Sequence, residues 1–179
     1  MSGLVSALAD CAQLLADWNE RAAIVGGVAF VARVRGRLTE DIDVAVVVPK
    51  GREPDFVRLC RSRGFQLGAD DERDFLAAGL ARMVAPSGTS VDFMVADDAL
   101  FEAVVARATP VDLGGLSLPV ATVEDLLLMK LDANRLLDLD DAIAIKDVHG
   151  AQLDRDYLET SARRLGFLER LEGLLGPRR

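Results

Sequence analysis

The sequence predicts an α/β (α+β) protein, with an α/β core over residues 1–120 and a helical C-terminal portion, 121–179, packed on it. Three observations predict this. Short apolar runs at 22–25, 41–48 and 90–95 alternate with stretches of helical periodicity. Two pairs of runs close around turn signals, Pro86-Ser87-Gly88 and Gly114-Gly115, as hairpins do. After Thr122 only helical periodicity remains, with no Pro- or Ser-rich linker before it. Half of the 179 residues are hydrophobic and 28% are charged, which is a globular composition long enough for a sizeable core.

In chain order, Leu4, Leu8, Cys11, Leu15 and Trp18 recur at helical spacing and predict an amphipathic helix over 3–18. Residues 22–25 form a short strand, Gly26-Gly27 breaks it, and 28–34 resumes as helix. Residues 41–48, β-branched and ended by Pro49, are the strongest strand signal. A helix follows at 53–63, then a brief strand at 65–67 and a loop over the acidic stretch 70–74. Residues 81–85 and 90–95 form a hairpin, Asp97 or Asp98 caps a helix running to Arg107, and 111–118 form a second hairpin. Thr122-Val123-Glu124-Asp125 is a helix start of capping-box type, with Asp where Glu or Gln is usual. Further helices are expected at 137–147, 154–165 and 167–175.

Composition excludes some functions. A net charge of −8 is a poor match for broad, non-specific nucleic-acid binding, which needs surplus Lys and Arg. The longest apolar run, 22–32, is well short of the ~18 residues a bilayer span needs. The N-terminus has no basic region of signal-peptide type, so the expected location is cytoplasmic, with no membrane partner. Cys11 and Cys60 lie in apolar-periodic stretches without metal-ligand spacing and read as buried, reduced thiols.

The chemistry concentrates in Thr39-Glu40-Asp41-Ile42-Asp43. On a strand, Asp41 and Asp43 share one face, about 7 Å apart, and repel each other unless a cation lies between them. Hard divalent ions such as Mg²⁺ take carboxylate oxygens. Val91-Asp92-Phe93 supplies a third acid between apolar residues, and Gly26-Gly27 precedes Asp41 with 13 residues between. Phosphoryl-type transfer relies on positioning and electrostatic stabilisation, commonly with two metal ions about 3.5–4 Å apart. Asp41, Asp43 and Asp92 are thus the candidate metal ligands and catalytic groups. Gly26 and Gly27 at a strand-to-helix turn let backbone N–H groups approach phosphate, and Arg37 and Thr39 lie within reach of phosphate oxygens. Arg33, Arg35 and Arg37 make the best basic patch for an RNA or other phosphate-bearing acceptor. His149 has no partner at ligand spacing and receives no role.

Val25-Gly26-Gly27, Asp41-Ile42-Asp43-Val44 and Val91-Asp92-Phe93, in that order, resemble the signature of the nucleotidyltransferase superfamily typified by DNA polymerase β. Arg37-Leu38-Thr39-Glu40 and Leu128-Met129-Lys130-Leu131, followed by Arg135, Asp138 and Asp141, narrow the resemblance to small bacterial nucleotidyltransferases related to AbiEii toxins of type IV toxin–antitoxin systems. Leu137 departs from that pattern, standing where a lysine is usual. The resemblance covers most of residues 22–165. It implies a mixed sheet flanked by helices and Mg²⁺-dependent transfer of a nucleoside monophosphate from an NTP to a hydroxyl acceptor, RNA (tRNA) or protein, with two ions at the acids. It also implies a triphosphate contact for Lys130 and a cognate antitoxin as partner. Two rivals remain: a non-catalytic nucleotide-sensing or partner-binding module on the same fold, and a small-molecule adenylyltransferase of the antibiotic-modifying kind. Glu40, Asp70, Asp71, Glu72 and Asp74 permit the second by offering negative charge to a polyamine.

Overall fold

The computed structural model describes residues 2–36 and 38–176. Helix α1 (Ser2–Trp18) leads into strand β1 (Ala22–Val25), and α2 (Gly26–Arg33) begins without a loop. The expected start at Val28 is therefore two residues late: the glycines are the first turn of the helix. Strand β2 (Ile42–Val46) is shorter than expected at both ends, and Asp41 lies just ahead of it. Next come α3 (Glu53–Ser62), α4 (Ala69–Ala78), β3 (Leu80–Val84), β4 (Ser90–Val95), α5 (Ala99–Arg107), β5 (Thr109–Asp112) and β6 (Ser117–Val120). The chain closes with α6 (Val123–Ala133), α7 (Leu136–His149), α8 (Arg155–Leu165) and α9 (Leu168–Leu175).

Two expectations need correcting. The acidic stretch 70–74 is helix, not loop. Asp70, Asp71 and Glu72 occupy the first turn of α4, where negative charge is favoured by the helix dipole. Phe75 supplies the buried anchor, its ring centroid 5.4 Å from that of Phe56. Gly79, left-handed at φ +69°, ends the helix. The strand expected at 65–67 is reduced to one bridge, Gln66 opposite Val84.

The six strands form one mixed sheet in the order β3-β4-β2-β1-β6-β5. β2 runs parallel to β4 and antiparallel to β1, and β1 runs parallel to β6, so the parallel pairings lie inside the sheet and the antiparallel hairpins at its edges. The hairpin β3–β4 supplies one edge and β5–β6 the other. An apolar core containing Phe30, Ile42, Phe56, Phe75 and Phe93 continues across residue 120 into Leu126, Leu127, Leu128, Leu158 and Leu171.

A buried polar hub fastens the C-terminal helices. Thr122 caps α6 by accepting from the Asp125 N–H, and its hydroxyl donates to Asp125 Oδ2 at 2.7 Å. Asp125 also receives Arg107 Nε of α5 at 3.2 Å and the Tyr157 hydroxyl of α8 at 2.5 Å. The capping-box position therefore holds Asp because its carboxylate serves two neighbouring helices as well as its own cap. Cys11 and Cys60 are buried and free, and burial pushes both thiols up to about 12. No helix among the described residues is long and apolar enough to cross a membrane.

Candidate active site

Strand register assembles the acids. Asp43 on β2 pairs with Asp92 on β4, and Arg82 on β3 pairs with Asp92 from the other side. Val25, the last residue of β1, faces Asp43. In-register neighbours share a face of the sheet at strand spacings of about 4.8 Å. Arg82, Asp92 and Asp43 thus form a row, with Asp41 two residues ahead of Asp43. Ile42, Val44, Val91 and Phe93 point away from that face and are buried, which fixes the register by their hydrophobicity.

Gly26 is required by this row. Its φ of +57° already favours glycine, and a Cβ there would lie 1.9 Å from Asp43 Oδ2. The missing side chain leaves the space in which the carboxylate sits. Gly27 N–H then donates to Asp43 Oδ2 at 3.4 Å, at the N-terminus of α2. Burial, then the charge of Asp41, raise Asp43 above the ordinary carboxylate range; the Gly27 contact opposes this and Asp92 adds to it.

The opposite wall is built by α6 and α7. Lys130 Nζ lies 2.8 Å from Asp138 Oδ1 and 2.9 Å from Asp141 Oδ2. Arg135 Nε adds a 2.6 Å contact to Asp138 Oδ2. Burial alone would push Asp138 up, but the hydrogen bonds from Arg135 and Lys130 override it and hold its carboxyl below the usual range. Lys130 has a side chain only 12% exposed and anchors two carboxylates. The ammonium donates a hydrogen bond to Asp138 and forms an ion pair with Asp141, and Lys130 also lines the cleft.

Between these walls lies a cleft of about 750 Å³. Of the residues singled out from sequence, Gly26, Gly27, Thr39, Asp41, Asp43, Asp92 and Lys130 all line it. Arg37 lies outside the described residues. Arg33 does not join the expected basic patch. Its guanidinium donates to the carbonyls of Ala121 at 3.1 Å and Val120 at 3.0 Å, tying α2 to the end of β6. His149 Nε2 sits 2.7 Å from the Arg33 carbonyl, joining the end of α7 to the end of α2. Of the extra acids only Glu40 lines the cleft; Asp70 pairs with Arg73 and Glu72 with Arg61 on the surface of α4. Leu137, in place of the usual lysine, is 74% exposed.

Sequence reasoning missed Arg82, whose guanidinium holds Asp92 through two parallel bonds, Nε to Oδ1 at 2.8 Å and Nη2 to Oδ2 at 2.6 Å. The hairpin signal contained it, since Arg82 and Asp92 stand at equal distances from Ser87 and so face each other. Also missed was an apolar side of the cleft, formed by Met94, Leu100, Phe101 and Met129.

Three carboxylates on adjoining strand ends are the donor chemistry of a hard divalent cation. Among the described residues, no three acidic, histidine or cysteine side chains are gathered closely enough to hold an ion. The side chains are of the kind such an ion takes, but in this arrangement Asp92 is turned to Arg82.

Residues 12–155 match the family described as nucleotidyl transferase AbiEii toxin, type IV TA system. No curated protein matches the chain by sequence. Among solved structures, the fold is similar to that of the antibiotic-resistance factor ANT(2'')-Ia, at TM-score 0.58 and 15% identity over 96% of this chain and 98% of that one. It is also similar to the lincosamide antibiotic adenylyltransferase LnuA, at TM-score 0.54 and 13% identity over 82% and 96% of the two chains. A nucleotidyltransferase-like antigen of Paracoccidioides brasiliensis aligns at TM-score 0.56 and 18% identity, covering 97% and 91%.

Proposed function

The chain belongs to the AbiEii nucleotidyltransferase toxin family, and from that premise we propose that its cleft transfers a nucleoside monophosphate from an NTP to a hydroxyl acceptor, forming the new P–O bond as the bond to the β-phosphate breaks and pyrophosphate leaves. The observation that carries the proposal is the register that sets Asp43 beside Asp92, with Asp41 adjacent, in a cleft that Gly26 and Gly27 also line. Asp41, Asp43 and Asp92 would hold divalent cations, two by the resemblance. Bound there, Mg²⁺ would neutralise charge developing on the transferred phosphoryl group and lower the pKa of the attacking hydroxyl.

The chain's own residues supply binding and orientation. The N-terminus of α2 presents its first N–H groups to phosphate oxygens, the position that favours negative charge. Lys130, held by Asp138 and Asp141, brings positive charge to the triphosphate from the facing wall. Asp92, on the acceptor side of the row, takes the hydroxyl proton once its hold on Arg82 is released. Leu100, Phe101 and Met129 give the flat faces of a base or an acceptor an apolar surface and exclude water.

A second acceptor class has its own observation. Glu40 and Asp132 line the cleft in addition to the acidic row and Asp138, and carboxylates beyond those needed for cations favour an amine-bearing small molecule. Because Arg33 is committed to backbone carbonyls, a basic track for RNA would have to come from Arg35 and Arg37. Incubating the protein with α-labelled NTPs and Mg²⁺, in parallel with bulk tRNA, a protein extract and aminoglycosides, separates the acceptors. Label transferred to any of them by the wild type and lost in Asp43→Asn supports the proposal. ATP and Mg²⁺ binding without transfer to any acceptor would favour a nucleotide-sensing module, and a cognate antitoxin would then be the partner to seek.

A further inference from the structure

Packing does not explain an arginine at position 82. It stands on the edge strand β3 with 57% of its side chain exposed, where many residues would serve. Yet its guanidinium turns inward and engages both oxygens of Asp92, and its Nη2 lies 3.6 Å from Asp41 Oδ2. Two of the three acids of the row are thus compensated by one internal cation, whereas Asp43 accepts a backbone N–H from Gly27.

We propose that Arg82 is a built-in counter-cation: it holds Asp92 and screens Asp41 until a divalent cation displaces it, so that its release sets how tightly the acidic row takes the ion. The inference rests on the cation-binding reading above and adds to it the residue that opposes binding. A planar guanidinium forked onto a carboxylate is the strongest side-chain competitor such a group can have. A divalent ion bound to the same oxygens would repel it at close range. Release needs no backbone movement, because a long side chain on an exposed edge strand swings into solvent by rotation about its own bonds. A fraction of the chain with Asp92 free then binds the ion, and the apparent affinity is reduced by that fraction.

The test is Mn²⁺ titration, followed by calorimetry and by the paramagnetic signal of the free ion, on the wild type, Arg82→Gln and Arg82→Lys. Melting curves of each protein in EDTA accompany it. Exposed pairs of good geometry shift equilibria by up to about fivefold, so Arg82→Gln is expected to tighten Mn²⁺ by about fivefold and to melt below the wild type in EDTA. Arg82→Lys, which keeps the charge without the fork, falls between them. Unchanged or weakened Mn²⁺ binding in Arg82→Gln overturns the proposal, and if the wild type still binds Mn²⁺ the transferase reading survives. A wild type that binds no Mn²⁺ at all removes the cation-binding reading and this inference with it.

Discussion

Two groups of acids face each other across one cleft and solve the same electrostatic problem in opposite ways. On the helical wall, Asp138 and Asp141 are buried, with side chains 4% and 8% exposed, and Lys130 and Arg135 compensate them within 3 Å. On the sheet wall, Asp41, Asp43 and Asp92 share Arg82 and the Gly27 N–H, and Asp43 is raised while Asp138 is lowered. The helical group has its cations in place without a ligand. The strand group is under-compensated, as a site is when its missing charge arrives with the substrate. In the proposed reading, stability belongs to the first and chemistry to the second.

The largest effect expected from breaking this contrast is Lys130→Met. Removing the cation from two buried carboxylates leaves Asp141 without its ammonium and Asp138 with Arg135, and should cost about 3 kcal/mol, read as a lower denaturant midpoint. A loss near zero would mean the network is solvated and the helical wall is not preformed. Thr122→Ala, away from the cleft, removes a cap and one partner of buried Asp125 and should cost about 1 kcal/mol. Because the hub does not touch the row of strand acids, the melting response to ATP and Mg²⁺ should be unaltered in that variant.

Smaller and opposite in sign, Asp43→Asn should raise the melting temperature of the metal-free protein by about 2 °C, since it removes repulsion and keeps an oxygen for Gly27 N–H. The pH dependence sharpens the same comparison. Asp43 is raised, so its contribution to stability is present below its unfolded value and lost as pH rises through its folded one. Asp138 is lowered, so its contribution is present above the ordinary carboxylate range and lost as pH falls through its folded value. Metal-free wild type should therefore gain slightly on mild acidification before losing stability in stronger acid. Asp43→Asn should lose the gain and keep the loss. A urea-midpoint series across pH measures both.

How legible this was depended on how local the signal is. The strand acids could be read because alternation, flanking hydrophobics and glycine at the turn are all short-range marks, and the same holds for the Thr122 and Asp98 caps, which the structure places where expected. The helix at Ala69–Ala78 was obscured because its acids resemble a loop until Phe75 is seen stacked on Phe56. Arg33 and Lys130 were read as available cations because sequence records charge but not its partners. Their partners lie on β6 and α7, brought near only by the completed fold. Arg82 is intermediate: the hairpin places it opposite Asp92, but only the bond geometry shows that it grips the carboxylate.

The central claim, that Asp43 belongs to a site awaiting a cation and a nucleotide, is tested most directly by melting wild type and Asp43→Asn, each with and without Mg²⁺ and ATP. Wild type should gain several degrees from the two ligands together, and Asp43→Asn, starting higher, should gain little. Equal gains in the two proteins would contradict the claim, because Asp43 would then be no part of the site that binds them.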